Sequence, residues 1–179
     1  MKFLLAIALS FVSLLPTGVD NEKMQWSETR PLSWSDFQGE PNGATDYVAS
    51  TNSGISLSYS IGNSNGSWHF DFTVNSNFYP KQSWYRPEAA SEYILKHEQT
   101  HFDISELHAR KLRKKLSGLS ATAEVKAEAD KLYSETEQQR RSMQQAFDTE
   151  SDHSKLKNAE FEWRDYVAAE LKKYDDWKE

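Results

Sequence analysis

The chain has 179 residues, enough for one domain with a real core. A net charge of −6 weighs against a nucleic-acid binder, whose main lever is a basic surface, and 13% aromatic residues with six Trp exclude a disordered chain. Cysteine is absent, which excludes disulfides, a lipid anchor on an N-terminal Cys and thiolate ligation of a metal.

Residues 1–18 read as a secretory signal peptide: Lys2 opens it, Phe3 to Leu15 is an apolar run too short to span a bilayer comfortably, and Pro16-Thr17-Gly18 closes it. This predicts a secreted or periplasmic protein with no stable membrane insertion once the signal is removed. Residues 19–30 are polar and read as a flexible lead-in, and 31–179 as a single domain. Trp34 and Phe37 look like an aromatic plug on one side of a core, ended by a turn at Pro41-Asn42-Gly43. From 46 to 75 the pattern is antiparallel strand. Ile55, Leu57, Tyr59 and Ile61 alternate with polar residues, as do Trp68, Phe70, Phe72 and Val74, and Gly62 to Gly66 read as the loop between them. Three helices follow, at about Pro87–Leu116, Ala121–Phe147 and Lys155–Tyr174, with Gly118 stopping the first, Ser120 capping the second and a polar break at 148–154. The fold class is therefore α+β, a small N-terminal antiparallel sheet packed against about three long helices.

The first long helix carries His97-Glu98-Gln99-Thr100-His101, an H-E-x-x-H motif. Residues four apart share a helix face, so His97 and His101 can hold one metal ion between them. Glu98 sits at the edge of that face, where a carboxylate can act as general base on a water. Two of the five histidines in the chain fall in this motif. The bland alternative is a pair of ordinary histidines on an amphipathic helix.

A catalytic zinc usually takes a third protein ligand. His108 lies roughly 10 Å further along the helix axis, too far to share the ion. Asp103 points away and reads as a positioning carboxylate. Glu124, Glu128, Glu135 and Glu137 on the second helix remain candidates. His153, in the polar break that a helical hairpin can return to the first helix, stands ahead of any single Glu.

The chain resembles the bacterial family called domain of unknown function 922, described as predicted secreted zinc-dependent proteases. The resemblance rests on Trp34-Ser35-Asp36-Phe37-Gln38-Gly39, on the Ser/Thr-rich strand from Thr51 to Ile61, on His97 to Asp103, and on Phe147-Asp148-Thr149-Glu150-Ser151-Asp152-His153-Ser154 with Glu160 and Trp163. Three positions depart from the family pattern: Phe147 stands for Tyr, Ser154 for Gly and Glu160 for Gln. The resemblance implies a zincin-like domain with His97, His101 and His153 as Zn2+ ligands and Glu98 as base. The expected function is a secreted zinc metallopeptidase acting on a peptide or protein substrate. Tyr85, His108, Tyr133 and Tyr166 are candidates to stabilise the oxyanion, and the strand from Trp68 to Val74 could offer an edge to the substrate. The alternative is a non-catalytic, metal-stabilised binding or scaffold protein of the cell envelope.

Overall fold

The structure is a computed structural model that describes residues 22–44 and 46–179; the expected signal peptide lies outside the described residues. Two long strands dominate the sheet, β3 (Ser53–Ser64) and β4 (Ser67–Phe78), paired antiparallel from Ser53 opposite Phe78 to Ser64 opposite Ser67. Only Asn65 and Gly66 form the turn, with φ of 52° and 87°. A two-residue loop of type I′ needs positive φ at both positions, which Asn-Gly supplies at least cost. Gly62 to Ser64, expected as loop, therefore belong to the strand. Gly62 faces His69 across the ladder, and a Cβ there would meet the imidazole at 2.0 Å.

A short strand, β1 (Met24–Gln25), pairs with the end of β4 and gives the sheet order β1-β4-β3. It lies in the stretch expected as a flexible lead-in. The physical reason is Trp26, whose Nε1 donates to Asp103 at 2.7 Å and pins the segment to the first helix. A separate two-stranded ladder joins β2 (Ala49–Ser50) to β5 (Trp84–Tyr85).

Helix α1 (Glu92–Ser117) starts later than the sequence suggests. Pro87 opens a single 3₁₀ turn of its own, Ala90 is extended, and Ser91 then caps α1 by accepting from the Ile94 N–H at 3.2 Å. The helix stops at Gly118, as expected. Helix α2 (Val125–Glu150) ends three residues beyond Phe147, and α3 is Lys157–Lys173. No described helix is long and apolar enough to cross a membrane.

Three apolar clusters meet on α1. Ala109, Leu112 and Leu116 pack against Ile55 and Val74 of the hairpin and Ala129 of α2. Phe102 joins Leu32, Phe37 and Phe78, with Trp34 and Trp26 at the margin, which bears out the aromatic plug. Ile104 packs with Phe147 of α2 and Val167 of α3. A helix buried on three sides holds its side chains in fixed rotamers, and that fixes the direction of every functional group it carries.

Candidate metal centre

The N-terminal half of α1 is the floor of a cavity of about 320 Å³. One wall is the chain from Asp46 to Thr51, which includes β2; the other is Gln144 and Asp148 of α2 with His153 to Lys155 of the following loop. His97 and His101 stand one helical turn apart with ring centroids at 4.9 Å, and both are buried. The Oδ1 of Asp148, on the last turn of α2, is 3.0 Å from His101 Nε2 and 3.3 Å from His97 Nε2. All three donor atoms lie within 4.8 Å of one another, so His97, His101 and Asp148 can together hold a metal ion. Donors about 2.1 Å from a tetrahedral ion stand roughly 3.4 Å apart, and the two separations from Asp148 approach that spacing.

Neighbouring side chains set the orientation of the two rings. Nδ1 of His97 is 2.9 Å from the Oε2 of Glu160, a fully buried carboxylate in the first turn of α3. That contact leaves Nε2 of His97 for the cavity, as expected of a ligating imidazole held from behind. Arg164 donates to the other oxygen of Glu160 at 2.8 Å. Phe147 lies beneath both rings, stacked on His97 at 4.5 Å and edge-on to His101 at 5.1 Å.

Burial alone would depress the His97 pKa, but its hydrogen bonds to Asp148 and Glu160 override it and raise the value to about 9. Burial likewise pushes Asp148 up, yet its bonds to His101 and His97 hold it well below the usual carboxylate range. Glu160 is lowered too, against its own desolvation, by His97 and Arg164. The centre therefore keeps both carboxylates ionised, a charge arrangement that favours a cation among them.

Glu98 lines the same cavity and is only 4% exposed. Its Oε2 is buried with no hydrogen-bond partner among the described residues. Buried polar atoms are almost always paired, so an orphan carboxylate oxygen beside a cluster of ligand atoms marks a place where a water or substrate belongs.

His153 reaches the cavity as well. Its Nδ1 is 3.8 Å from Asp148 Oδ1, its side chain is 42% exposed, and its ring meets Tyr47 edge-on at 5.1 Å. It stands at the mouth, outside the trio of mutually close donors. The helical Glu candidates do not line the cavity; Glu137 binds Arg140 at 2.9 Å and accepts from the Ile55 N–H at 3.1 Å. His108 is buried away from the cavity with Nδ1 2.9 Å from the Ile104 carbonyl, and Asp103 accepts from Trp26 and Gln99. Of the oxyanion candidates none lines the cavity: Tyr85 stacks on Trp34, Tyr133 donates to the Ile55 carbonyl, and Tyr166 packs on Trp163. The tyrosine that does line it is Tyr47.

Asp148 is the ligand candidate that sequence reasoning missed. A signal was present: Arg140, Gln144 and Asp148 repeat at four-residue spacing, a polar stripe on one helix face.

A family model described as a bacterial protein of unknown function (DUF922) matches residues 34–154. The chain belongs to that family. The matched span holds His97, Glu98, His101, Asp148 and His153, while Glu160 lies beyond it. No curated protein and no solved structure matches the chain.

Proposed function

We propose that the protein is a secreted or periplasmic metallopeptidase with a zincin-like arrangement and zinc as its ion. The observation that carries this reading is the buried Oε2 of Glu98, without a hydrogen-bond partner among the described residues, in the same cavity as three convergent ligand atoms. In this reading His97, His101 and Asp148 hold the ion, and His153 at the mouth is the donor next in line. Zinc held by these residues would supply a lowered pKa for water and polarisation of a carbonyl group. Glu98 then takes the proton of the attacking water and delivers it to the departing amine nitrogen. Glu160 keeps His97 turned toward the cavity through its Nδ1. Phe147 and the wall from Asp46 to Thr51 limit bulk water around the reacting atoms.

The cavity wall also favours an extended peptide as substrate. In the β2–β5 ladder Val48 and Ser50 face β5, the Val48 carbonyl accepting from the Arg86 N–H at 2.8 Å. Main-chain groups alternate in direction along an antiparallel strand, so those of Ala49 face away from β5 and are placed to pair with an added strand. Strand β4, the edge suggested by sequence, has its Trp68–Val74 stretch outside the cavity lining.

The test compares wild type with Glu98→Gln, Asp148→Asn and His153→Ala for zinc content and for cleavage of casein and a peptide library. Glu98→Gln should keep its metal and lose cleavage by about 10²-fold or more, the usual contribution of a positioned base. Asp148→Asn should bind zinc more weakly than His153→Ala does. Equal cleavage by wild type and Glu98→Gln at equal zinc content would overturn the base assignment.

A further inference from the structure

The cavity does not end at the metal centre. Ser50, Thr51, Trp84 and Gln144 also line a second, more open pocket of about 450 Å³, so the two adjoin along one groove between the same walls. The strand segment from 46 to 53 walls one side, and α2 walls the other in the opposite direction. Along that helix Asp148, Gln144 and Arg140 share one face at four-residue intervals. Eight residues of helix rise about 12 Å, so Arg140 stands that far along the groove from the ligand carboxylate.

The character of the groove changes over this distance. The metal end is lined by three carboxylates, Asp46, Glu98 and Asp148, against one lysine, Lys155. The far pocket has two arginines, Arg140 and Arg141, and no acidic residue among those that line it, in a chain of net charge −6. Arg140 is 6% exposed and rigidly held, with Glu137 accepting from its Nε at 2.9 Å and its Nη2 at 3.0 Å. Arg141 touches the same carboxylate through Nε at 3.4 Å, and its side chain is 75% exposed. One carboxylate facing two guanidinium groups leaves one net positive charge at the pocket. Gln144 is already committed beneath, donating to the His101 carbonyl at 3.0 Å, so the groove floor joins the two ends through a fixed side chain.

We propose that this pocket is an anion subsite, and that the protein selects peptides carrying a carboxylate about three to four residues from the bond at the metal centre. The spacing follows from the 12 Å of helix rise and about 3.3 Å per residue of extended chain. A planar guanidinium held in place by a buried partner suits a carboxylate, which it can meet through two parallel N–H donors. The carboxylate can be a Glu or Asp side chain or the C-terminus of a short peptide. The position of the cut rests on the hydrolase reading; the binding of the anion does not.

The experiment measures binding separately from turnover. Zinc-loaded Glu98→Gln protein is titrated by fluorescence anisotropy with three matched peptides: one neutral and amidated, one amidated with a single Glu moved along its length, and one neutral but with a free C-terminal carboxylate. The anionic peptides should bind about tenfold tighter than the neutral one, the scale of a charged hydrogen bond. Which of the two binds tighter identifies the source of the carboxylate. The preference should shrink toward unity in Arg141→Gln, an exposed position that can change without disturbing the core, and weaken in Arg140→Lys, whose thermal unfolding checks that the helix is intact. Equal affinity for neutral and anionic peptides, or a preference that survives in Arg141→Gln, overturns the subsite. Wild-type cleavage is followed in parallel. Cleavage without charge preference overturns the subsite and leaves the hydrolase. Arginine-dependent anion binding without any cleavage leaves the subsite and overturns the hydrolase. Neither binding nor cleavage overturns both.

Discussion

Asp152, His153 and Ser154 follow one another with φ of 47°, 51° and 70°, a run in the left-handed region that residues other than glycine enter at a cost. The run is held from outside: the Ser154 carbonyl accepts from the Tyr93 hydroxyl at 2.7 Å, and the Ser154 N–H donates to Ser151 Oγ at 3.3 Å. Its effect is to turn the His153 ring toward the cavity mouth. The Ser154 side chain contributes none of these bonds, and the related pattern has glycine at this position. Ser154→Gly removes a steric cost of about 1–2 kcal/mol but adds freedom to the unfolded chain worth about half of that. The net expectation is a gain of about 0.5–1 kcal/mol in denaturant unfolding with zinc content unchanged. A loss of stability instead would mean that the serine hydroxyl supports the loop.

The end of α2 does more for the centre than any other stretch outside α1. Phe147 fills the space under both histidine rings and also packs against Trp163 of α3, and the next residue supplies the Asp148 carboxylate. Phe147→Ala should cost about 3–5 kcal/mol, the usual range for emptying a fully buried aromatic site. It should also weaken zinc binding, because two ligand rings lose the surface that fixes their rotamers. Phe147→Leu, which keeps most of the volume, should cost clearly less in both measurements. Zinc affinity unchanged in a folded Phe147→Ala protein would show that the rings are held by Glu160 and Asp148 alone. This element also shows where sequence patterns are informative. Apolar alternation located the hairpin, and Gly118 marked the end of the helix on which the histidine spacing makes sense, because these signals come from short-range geometry. Asp148 opens the hydrophilic run 148–154, which the sequence pattern presents as a polar break between helices. In the structure α2 continues through Glu150 and turns that hydrophilic face inward onto His97 and His101. Polarity along a chain cannot distinguish solvent from a buried charged site on the far side of another helix. For the same reason polarity alone does not separate Glu160, fully buried behind His97, from the other glutamates of α3; only the family pattern singles it out.

At the scale of the whole molecule, α1 joins three cores, and its interior carries a histidine that the proposed chemistry does not use. His108 is 3% exposed, and burial drives its pKa down to about 4, only partly opposed by the bond to the Ile104 carbonyl, with Lys111 and Arg140 pushing it further down and Glu137 pushing back. An unfolded histidine titrates near 6.5. Between these values the unfolded chain binds a proton that the folded chain refuses, so stability falls as the pH drops from about 6.5 to about 4 and is fully present above that window. The shift corresponds to about 3 kcal/mol when the whole window is crossed. Carboxylates titrate near its lower edge, so the informative quantity is a difference between two proteins. Urea unfolding of metal-free wild type and His108→Gln at a series of pH values should give curves that diverge through this window, with wild type losing about 3 kcal/mol more than the variant by pH 4. Parallel curves would mean that His108 takes up its proton in the folded protein, and hence that water reaches the space between α1 and its neighbours where the packing leaves none.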